Sequence, residues 1–232
     1  MLRRTAAAFV ALVALVAAPE AAATIEGPCT AEIAGQDIAG RDVGARSDAI
    51  VVSRDRPVSV TMSSEQPIQS LKVEIEFSGI RWTVHDRPST GTSWASEVPV
   101  DDYATYGLGL YKIVGSSVGQ GFTCSGAALI EVVGDHPLDP LSTFAGIGGL
   151  ALALIGALGI LAVAARVGRT AVSPIFGAFL GAVLGLGVVV LFQQFSVVYP
   201  TIGVTAALLA VGAVLGALLS LFGLPTREGD AR

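Results

Sequence analysis

The hydrophobic positions of this chain are most densely grouped in its last third. Three runs there contain no Asp, Glu, Lys, Arg or His: residues 143–165, 171–192 and 201–223. Each run has 22 or 23 residues, which corresponds to about 33–35 Å of α-helix at 1.5 Å per residue. Because a bilayer core of about 30 Å requires roughly 20 apolar residues, the pattern predicts an all-α membrane domain of three transmembrane helices over residues 143–223.

A different pattern precedes these runs. In Leu71–Phe77 the apolar residues alternate with Lys72, Glu74 and Glu76, a period of two that is typical of a half-buried antiparallel strand. Similar short stretches occur at residues 31–33, 49–53, 58–62, 80–84, 108–114 and 127–133, with proline or Gly/Ser-rich segments between them. About seven or eight short strands predict an all-β extracytoplasmic domain over residues 24–136, an immunoglobulin-like β-sandwich.

The beginning of the chain has the pattern of an export signal. Arg3 and Arg4 precede an apolar segment and an Ala-rich ending, which predicts a signal peptide over residues 1–23. Its apolar segment, about 13 residues, is too short to span a bilayer; an uncleaved anchor is the alternative. Residues 137–142 contain two prolines and are predicted to form a stiff linker, and residues 224–232 a cytoplasmic tail.

Basic residues between the apolar runs indicate the orientation. Arg166 and Arg169 lie between the first and second runs, whereas residues 193–200, between the second and third, carry no charge. Since Lys and Arg near helix ends remain on the cytoplasmic side, the 24–136 domain is expected outside and the C-terminus inside. The chain is therefore predicted to be a multi-pass protein of the plasma membrane.

The only two cysteines, Cys29 and Cys124, both fall in the predicted outer domain. An oxidising compartment favours a disulfide, and one pair allows one connectivity. Closing a loop of about 95 residues is worth roughly 4–5 kcal/mol on the chain-entropy model. We therefore predict a Cys29–Cys124 bond.

Small residues recur every fourth position in the second and third runs. The spacing is clearest at Gly177, Gly181, Gly185, Gly212 and Gly216. Such faces allow membrane helices to approach closely, and we interpret them as helix-packing positions within one chain. The alternative is a component of an oligomeric channel or transporter built on glycine-rich helices. The absence of ionisable residues from the runs argues against an autonomous transporter.

Candidate catalytic and metal-binding residues are few. Residues 115–119 match G-x-S-x-G, and Asp135 and His136 follow, but the motif requires a strand–turn–helix elbow; we expect residues 115–121 to be a loop between strands. His85 and Asp86, with His136 and Asp139, lack the spacing of a metal site, and Asp101-Asp102 is not part of a calcium-loop pattern. We therefore predict no catalytic residue, metal or cofactor.

The aromatic residues and the net charge of the predicted outer domain bear on its possible partners. Trp82 falls in an alternating strand and is expected in the core. The expectation for Trp94, Tyr103, Tyr106 and Tyr111 is packing in the core or at a strand edge, and the alternative is that they line a binding patch. Residues 24–141 contain 16 Asp and Glu against 8 Lys and Arg, a net charge of −8 compared with −5 for the whole chain. An acidic outer surface argues against nucleic acid as a partner.

These observations favour a non-catalytic integral membrane protein of the cell envelope. It would present its outer domain for binding or sensing, or act as a subunit of a membrane complex. The expected partners are the lipid bilayer and another membrane or envelope protein; a homo-oligomer remains an alternative.

Overall fold

A computed structural model describes residues 27–39, 46–77, 80–166 and 173–222. The predicted signal peptide, residues 167–172 between the first two apolar runs, and the predicted tail lie outside the described residues. The strands are β1 Cys29–Ile33, β2 Gln36–Asp37, β3 Ile50–Ser53, β4 Val58–Ser64, β5 Ile68–Phe77, β6 Ile80–Pro88, β7 Ser93–Val98, β8 Gly109–Gly119 and β9 Thr123–Val133. The helices are α1 Val100–Ala104, α2 Phe144–Arg166, α3 Pro174–Gln194 and α4 Ile202–Phe222, with short 3-10 helices at Arg46–Asp48 and Asp139–Ser142.

The described residues divide into two compact units. Among the described residues, the helical unit contains those of Ile147–Leu191 and those from Ile202 to Phe222, and the β unit contains those up to Gly146 together with Phe192–Thr201. The connection between α3 and α4 therefore belongs to the β unit, although it lies far along the chain from the nine strands.

Two sheets build the β unit. One has the strand order β2-β1-β4-β7 and the other β3-β9-β8-β5-β6. Neighbouring strands are antiparallel except for β3, which pairs in parallel with β9 from Ile50↔Ile130 to Ser53↔Val133. The prediction of an all-β domain followed by three helices of membrane-spanning length is confirmed in this form. The sequence did not indicate β7, whose alternate positions are mainly Ser, Ala and Glu.

The core lies between the two sheets. Side chains that alternate along the strands form one apolar cluster, to which Val60 contributes from the first sheet and Leu71, Val73, Ile113 and Ile130 from the second. On β5, buried residues alternate with half-buried or exposed ones, which reflects the two-residue period of a strand.

The helical unit contains segments long and apolar enough to cross a membrane. The candidate spans are Phe144–Ala165, Pro174–Gln194 and Ile202–Leu221. Many of their large apolar side chains are exposed, for example Ile155, Phe179 and Leu215. Outward-facing apolar side chains suit a hydrocarbon environment, where a helix satisfies its own backbone hydrogen bonds.

Candidate functional site

The predicted disulfide is confirmed. Cys29 on β1 and Cys124 on β9 are bonded across a sequence separation of 95 residues. Both residues are buried, and the bond joins the two sheets, since β1 and β9 belong to different ones. Ser117 Oγ lies 3.9 Å from Cys29 Sγ.

The G-x-S-x-G match lies within a strand, so the expectation of a loop was wrong for residues 115–119, whereas residues 120 and 121 do lie in the turn between β8 and β9. Gly115–Gly119 belong to β8, and residues 115–118 pair with both β5 and β9. Ser117 is 2% exposed and lies directly opposite Cys124. Glycine and serine have low strand propensity, but ladder pairing on both sides outweighs it. The serine is therefore not at a strand–turn–helix elbow.

The candidate metal-binding residues have other contacts. The His85 ring lies 4.8 Å from that of Trp94. The backbone N–H of His136 donates a 3.0 Å hydrogen bond to Asp139 Oδ2, and this bond is the main reason the pKa of Asp139 is lowered. In the described part of the chain, no three His, Cys, Asp or Glu side chains come together as a group that could hold a metal ion. Asp101 and Asp102 are exposed in the first turn of α1.

The feature that sequence reasoning missed is the packing of Phe192–Thr201 within the β unit. Gln193 and Gln194 are 0% and 1% exposed, although both close an apolar helix of membrane-spanning length. Gln193 Nε2 donates a 2.8 Å hydrogen bond to the carbonyl oxygen of Leu110. The two polar side chains thus bond to the beginning of β8, more than 80 residues earlier in the chain.

Gln194 joins three segments. Its Oε1 accepts hydrogen bonds from the backbone N–H of Leu108, at 2.9 Å, and from the hydroxyl of Thr143, at 3.0 Å. Thr143 also caps α2, because its Oγ1 accepts a 3.0 Å hydrogen bond from the N–H of Gly146. The N–H of Leu108 fixes the orientation of the amide, because it can only donate; the single proton of the Thr143 hydroxyl is shared with the carbonyl oxygen of Pro140, at 2.8 Å. Gln194 Nε2 is buried without a hydrogen-bond partner in the described residues.

Two glycines make room for this connection. A Cβ at Gly107 would collide with Gln194 Nε2 and with the ring of Phe77. Gly109 has φ +88°, and a Cβ there would collide with the backbone carbonyl oxygen of Gln193. The Gly-Leu-Gly sequence of residues 107–109, at the start of β8, was the only local signal that another backbone approaches there.

The connection itself has a defined conformation. The N–H of Val197 bonds to the carbonyl oxygen of Phe192 at 2.7 Å, and that of Ser196 to Gln193 at 3.0 Å. Ser196 has φ 55°. These features are those of a Schellman turn, with serine at the left-handed position that glycine usually occupies. Further along, the Tyr199 hydroxyl donates to Glu76 Oε1 at 3.1 Å, and its ring packs with Leu110 and Leu129.

An open cleft of about 320 Å³ lies beside the connection. Its lining includes Glu131, Asp135, His136, Gln194 and Ser196. Glu131 is held by Arg46, whose Nη2 lies 2.8 Å from Oε1 and whose Nε lies 3.3 Å from Oε2. The charge of this nearly buried carboxylate is thus already paired within the protein.

The aromatic residues separate into two groups. Tyr111 is buried, its ring lies 4.5 Å from that of Phe77 in a tilted arrangement, and its hydroxyl donates a 2.6 Å hydrogen bond to the carbonyl oxygen of Gly107. Burial raises the pKa of Tyr111. Trp94 packs against the core, as predicted. Trp82 also packs against the core, but its ring additionally stacks at 5.9 Å on Tyr106, which is 51% exposed.

The predicted helix-packing glycines lie between α3 and α4. A Cβ at Gly181 would collide with the carbonyl oxygen of Gly212, and one at Gly177 with that of Gly216. A Cβ at Gly185 would lie 2.6 Å from the carbonyl oxygen of Leu208. The two backbones are therefore close enough at these positions to exclude any side chain.

A disulfide-bonded β domain and three helices of this length and apolarity fit a membrane protein. No protein-family model and no curated protein matches the chain. Among solved structures, it is similar to a lytic polysaccharide monooxygenase from Kitasatospora papulosa, with a TM-score of 0.30, 8% identity and coverage of 38% of this chain and 52% of that one. The catalytic domain of such a monooxygenase from Listeria monocytogenes gives a TM-score of 0.29, 12% identity and coverage of 40% and 65%.

A bacterial immunoglobulin-like domain from the M. primoryensis ice-binding adhesin gives a TM-score of 0.22 and 16% identity, covering 37% of this chain and 85% of that one. The chain thus spans about half the length of the Kitasatospora enzyme. Likenesses at these TM-scores indicate neither a family nor a function for this protein.

Proposed function

We propose that the chain is a non-catalytic integral membrane protein of the cell envelope. It presents a disulfide-linked, immunoglobulin-like β-sandwich outside the membrane, for binding or sensing or as a subunit of a membrane complex. The observation that carries the proposal is which segments of the chain make up the β unit. A domain closed by a disulfide includes the connection between two apolar helices of membrane-spanning length.

Strand order supports the immunoglobulin-like assignment. The sheet order β9-β8-β5-β6 corresponds to strands G, F, C and C′ of a variable-type domain, and β1-β4-β7 to A, B and E. The parallel pairing of β3 with β9 adds a strand to the G edge. The disulfide differs from the usual B–F bond, since it joins the first and last strands of the domain.

The same connection supports the predicted orientation. The start of α2, the end of α3 and the connection that leads to α4 as far as Thr201 belong to the β unit. If each helix crosses the membrane once, the turn that contains Arg166 and Arg169 lies on the opposite side. That is the side on which positive charge is retained, the cytoplasm. A disulfide in the β unit agrees with an extracytoplasmic location.

Two observations favour this function over the alternatives. The glycine faces of α3 and α4 are occupied by each other, at Gly177 with Gly216 and at Gly181 with Gly212. They are therefore already used within one chain and are not free to line a pore. The serine of the G-x-S-x-G match is buried in mid-strand, which supports a non-catalytic role.

Site-directed labelling tests the orientation. A cysteine introduced at Val197, which is 56% exposed, is expected to react with a membrane-impermeant thiol reagent in intact cells, and one at Gly168 is not. Cys29 and Cys124 do not compete, because they are bonded. Labelling at 168 together with protection at 197 would reverse the assigned topology.

Reconstitution tests the channel alternative. Purified protein in liposomes is expected to pass neither ions nor small solutes, since the candidate spans contain no ionisable side chain. Reproducible flux that is abolished by Gly181→Leu would make the channel the better interpretation.

A further inference from the structure

An exposed aromatic patch lies next to the start of α2. It comprises three aromatic residues, Trp82, Tyr106 and Phe144, together with Ile80, and we call these four residues the aromatic patch. Ile80, Tyr106 and Phe144 are 57%, 51% and 69% exposed. Trp82 is half-buried and stacks on Tyr106, and the rings of Tyr106 and Phe144 lie 6.3 Å apart. Ile80 and Trp82 are two residues apart on β6 and therefore face the same side of the strand.

Backbone hydrogen bonds hold the patch to the beginning of the span. The N–H of Phe144 donates to the carbonyl oxygen of Thr105 at 3.3 Å, and the N–H of Ala145 donates to that of Tyr106 at 2.8 Å. The first N–H groups of a helix have no partner within it, and the turn after α1 supplies two acceptors. Tyr106 is therefore held at the level of the residue at which the candidate span begins.

We propose that the aromatic patch is a lipid-contacting surface of the β domain, inserted among the headgroups of the leaflet from which α2 enters the membrane. Its position adjoins Phe144, the first residue of a span, so chain connectivity determines what covers it. Its composition agrees, because Trp and Tyr are enriched at membrane–water interfaces, where an apolar ring with a polar edge is favoured. The proposal requires that α2 crosses a membrane, but it holds for either orientation.

The patch would restrain the domain at the bilayer surface. The chain already connects the β domain to the helices at the start of α2 and through the α3–α4 connection. Apolar contacts on β6 and in the 105–106 turn would add a direct contact between the domain and lipid. This adds to the proposed function, since such a domain presents the rest of its surface in a fixed direction.

The two tryptophans of the chain allow a direct test. Trp94→Phe leaves Trp82 as the only tryptophan, and Trp82→Phe leaves Trp94 as a matched control. The Trp94 ring contacts that of His85 at a tilt, with centroids 4.8 Å apart, and His85 lies three residues beyond Trp82 along β6, or about 10 Å. Each full-length variant is reconstituted into phosphatidylcholine vesicles with lipids brominated either high or low in their acyl chains.

Trp82 emission is expected to be quenched severalfold more than Trp94 emission, and more by bromine near the headgroups than by bromine near the bilayer centre. Equal quenching of the two tryptophans, or none, would overturn the proposal. Should Trp82→Phe fail to fold, the comparison of the two brominated lipids in Trp94→Phe alone remains decisive.

An aqueous quencher distinguishes a protein occupant from lipid. If Trp82 is protected from iodide and also from the brominated lipids, another protein surface or a second copy covers the patch, and the proposal is wrong. Protection from iodide combined with quenching by shallow bromine supports it.

Discussion

Gln194 Oε1 lies 2.9 Å from the backbone nitrogen of Leu108, 86 residues earlier in the chain. The glutamine is the last residue of α3, and the leucine immediately precedes β8. An apolar helix thus ends in a buried amide that completes the backbone hydrogen bonding of a β domain. This bond makes the α3–α4 connection a structural part of that domain.

Removing this amide should destabilise the β unit. Gln194→Ala leaves the N–H of Leu108 buried without an acceptor, and the expected cost is about 1–3 kcal/mol in the free energy of unfolding. Thermal unfolding of the full chain in detergent, followed by tryptophan fluorescence, measures it. Gln69→Ala, at an exposed glutamine on β5, is the control. Equal melting temperatures for the two variants would show that the Gln194 bond contributes nothing.

Gly109→Ala should displace the connection. The new Cβ collides with the backbone of Gln193, which cannot move without breaking the bond from Gln193 to Leu110. A cysteine at Ser196, which is 4% exposed, should then change from unreactive to reactive towards a water-soluble thiol reagent. Gly121→Ala separates collision from backbone strain, because Gly121 has φ +85° and open space around it. Reactivity at 196 that rises equally in both variants would refute the steric explanation.

Breaking the disulfide should strongly destabilise the β unit. The Cys29→Ser, Cys124→Ser double variant is expected to lose roughly 2–5 kcal/mol, because the loop that the bond closes contains most of the domain. The full chain is the correct sample, since Phe192–Thr201 packs in the same unit. Alkylation before and after reduction, read by mass spectrometry, checks the bond in the wild type. Two thiols alkylated without reduction would contradict it.

Bulk at the α3–α4 contact should disrupt the helical unit. Gly181→Leu places a side chain where the Gly212 carbonyl lies, and overpacking of this kind costs about 1–3 kcal/mol or more. Gly148→Leu is the matched control, because a Cβ there meets nothing within 4 Å. Denaturant titration, followed by far-ultraviolet circular dichroism, compares the stability of the helices in the two variants. If the Gly148 variant is as unstable as the Gly181 variant, close packing at Gly181 does not explain the loss of stability.

Alkaline pH should destabilise the β unit through Tyr111. Burial raises the pKa of Tyr111 in the folded state, so the unfolded chain loses this proton first. The stability is fully present below about pH 10 and decreases as the pH rises above it. Tyr111→Phe should show a shallower decline in melting temperature above pH 10. Tyr103, whose pKa is also raised by burial, accounts for part of the slope that remains. Parallel declines in variant and wild type would exclude Tyr111 as the cause.

Several features were predictable because they depend on neighbouring residues alone. The alternation in Leu71–Phe77 indicated a strand, since side chains alternate between the faces of a sheet. The length of each uncharged run indicated a span, since helix rise and bilayer thickness are fixed. The cysteine pair could form only one intramolecular bond, so an oxidising compartment was enough to predict it.

Other features depend on residues that are distant in the sequence. Ser117 was expected in a loop because glycine and serine disfavour strands, yet β5 and β9 pair with it on both sides. Gln193 and Gln194 fell in the uncharged segment between the second and third apolar runs, and the bonds to Leu108 and Leu110 account for their burial. Similarly, Trp82 fitted a core position, and its stacking on exposed Tyr106 could not be deduced from β6.

The sequence by itself determined the class of each segment, because the periodicity and length of apolar stretches are local and repeat many times along the chain. The tertiary structure decided which segments form one unit. The association of Phe192–Thr201 with the β domain depends on a few hydrogen bonds and on the space left at Gly107 and Gly109. Such bonds join backbone and amide groups that every chain contains, so their partners are determined only when folding brings distant segments together.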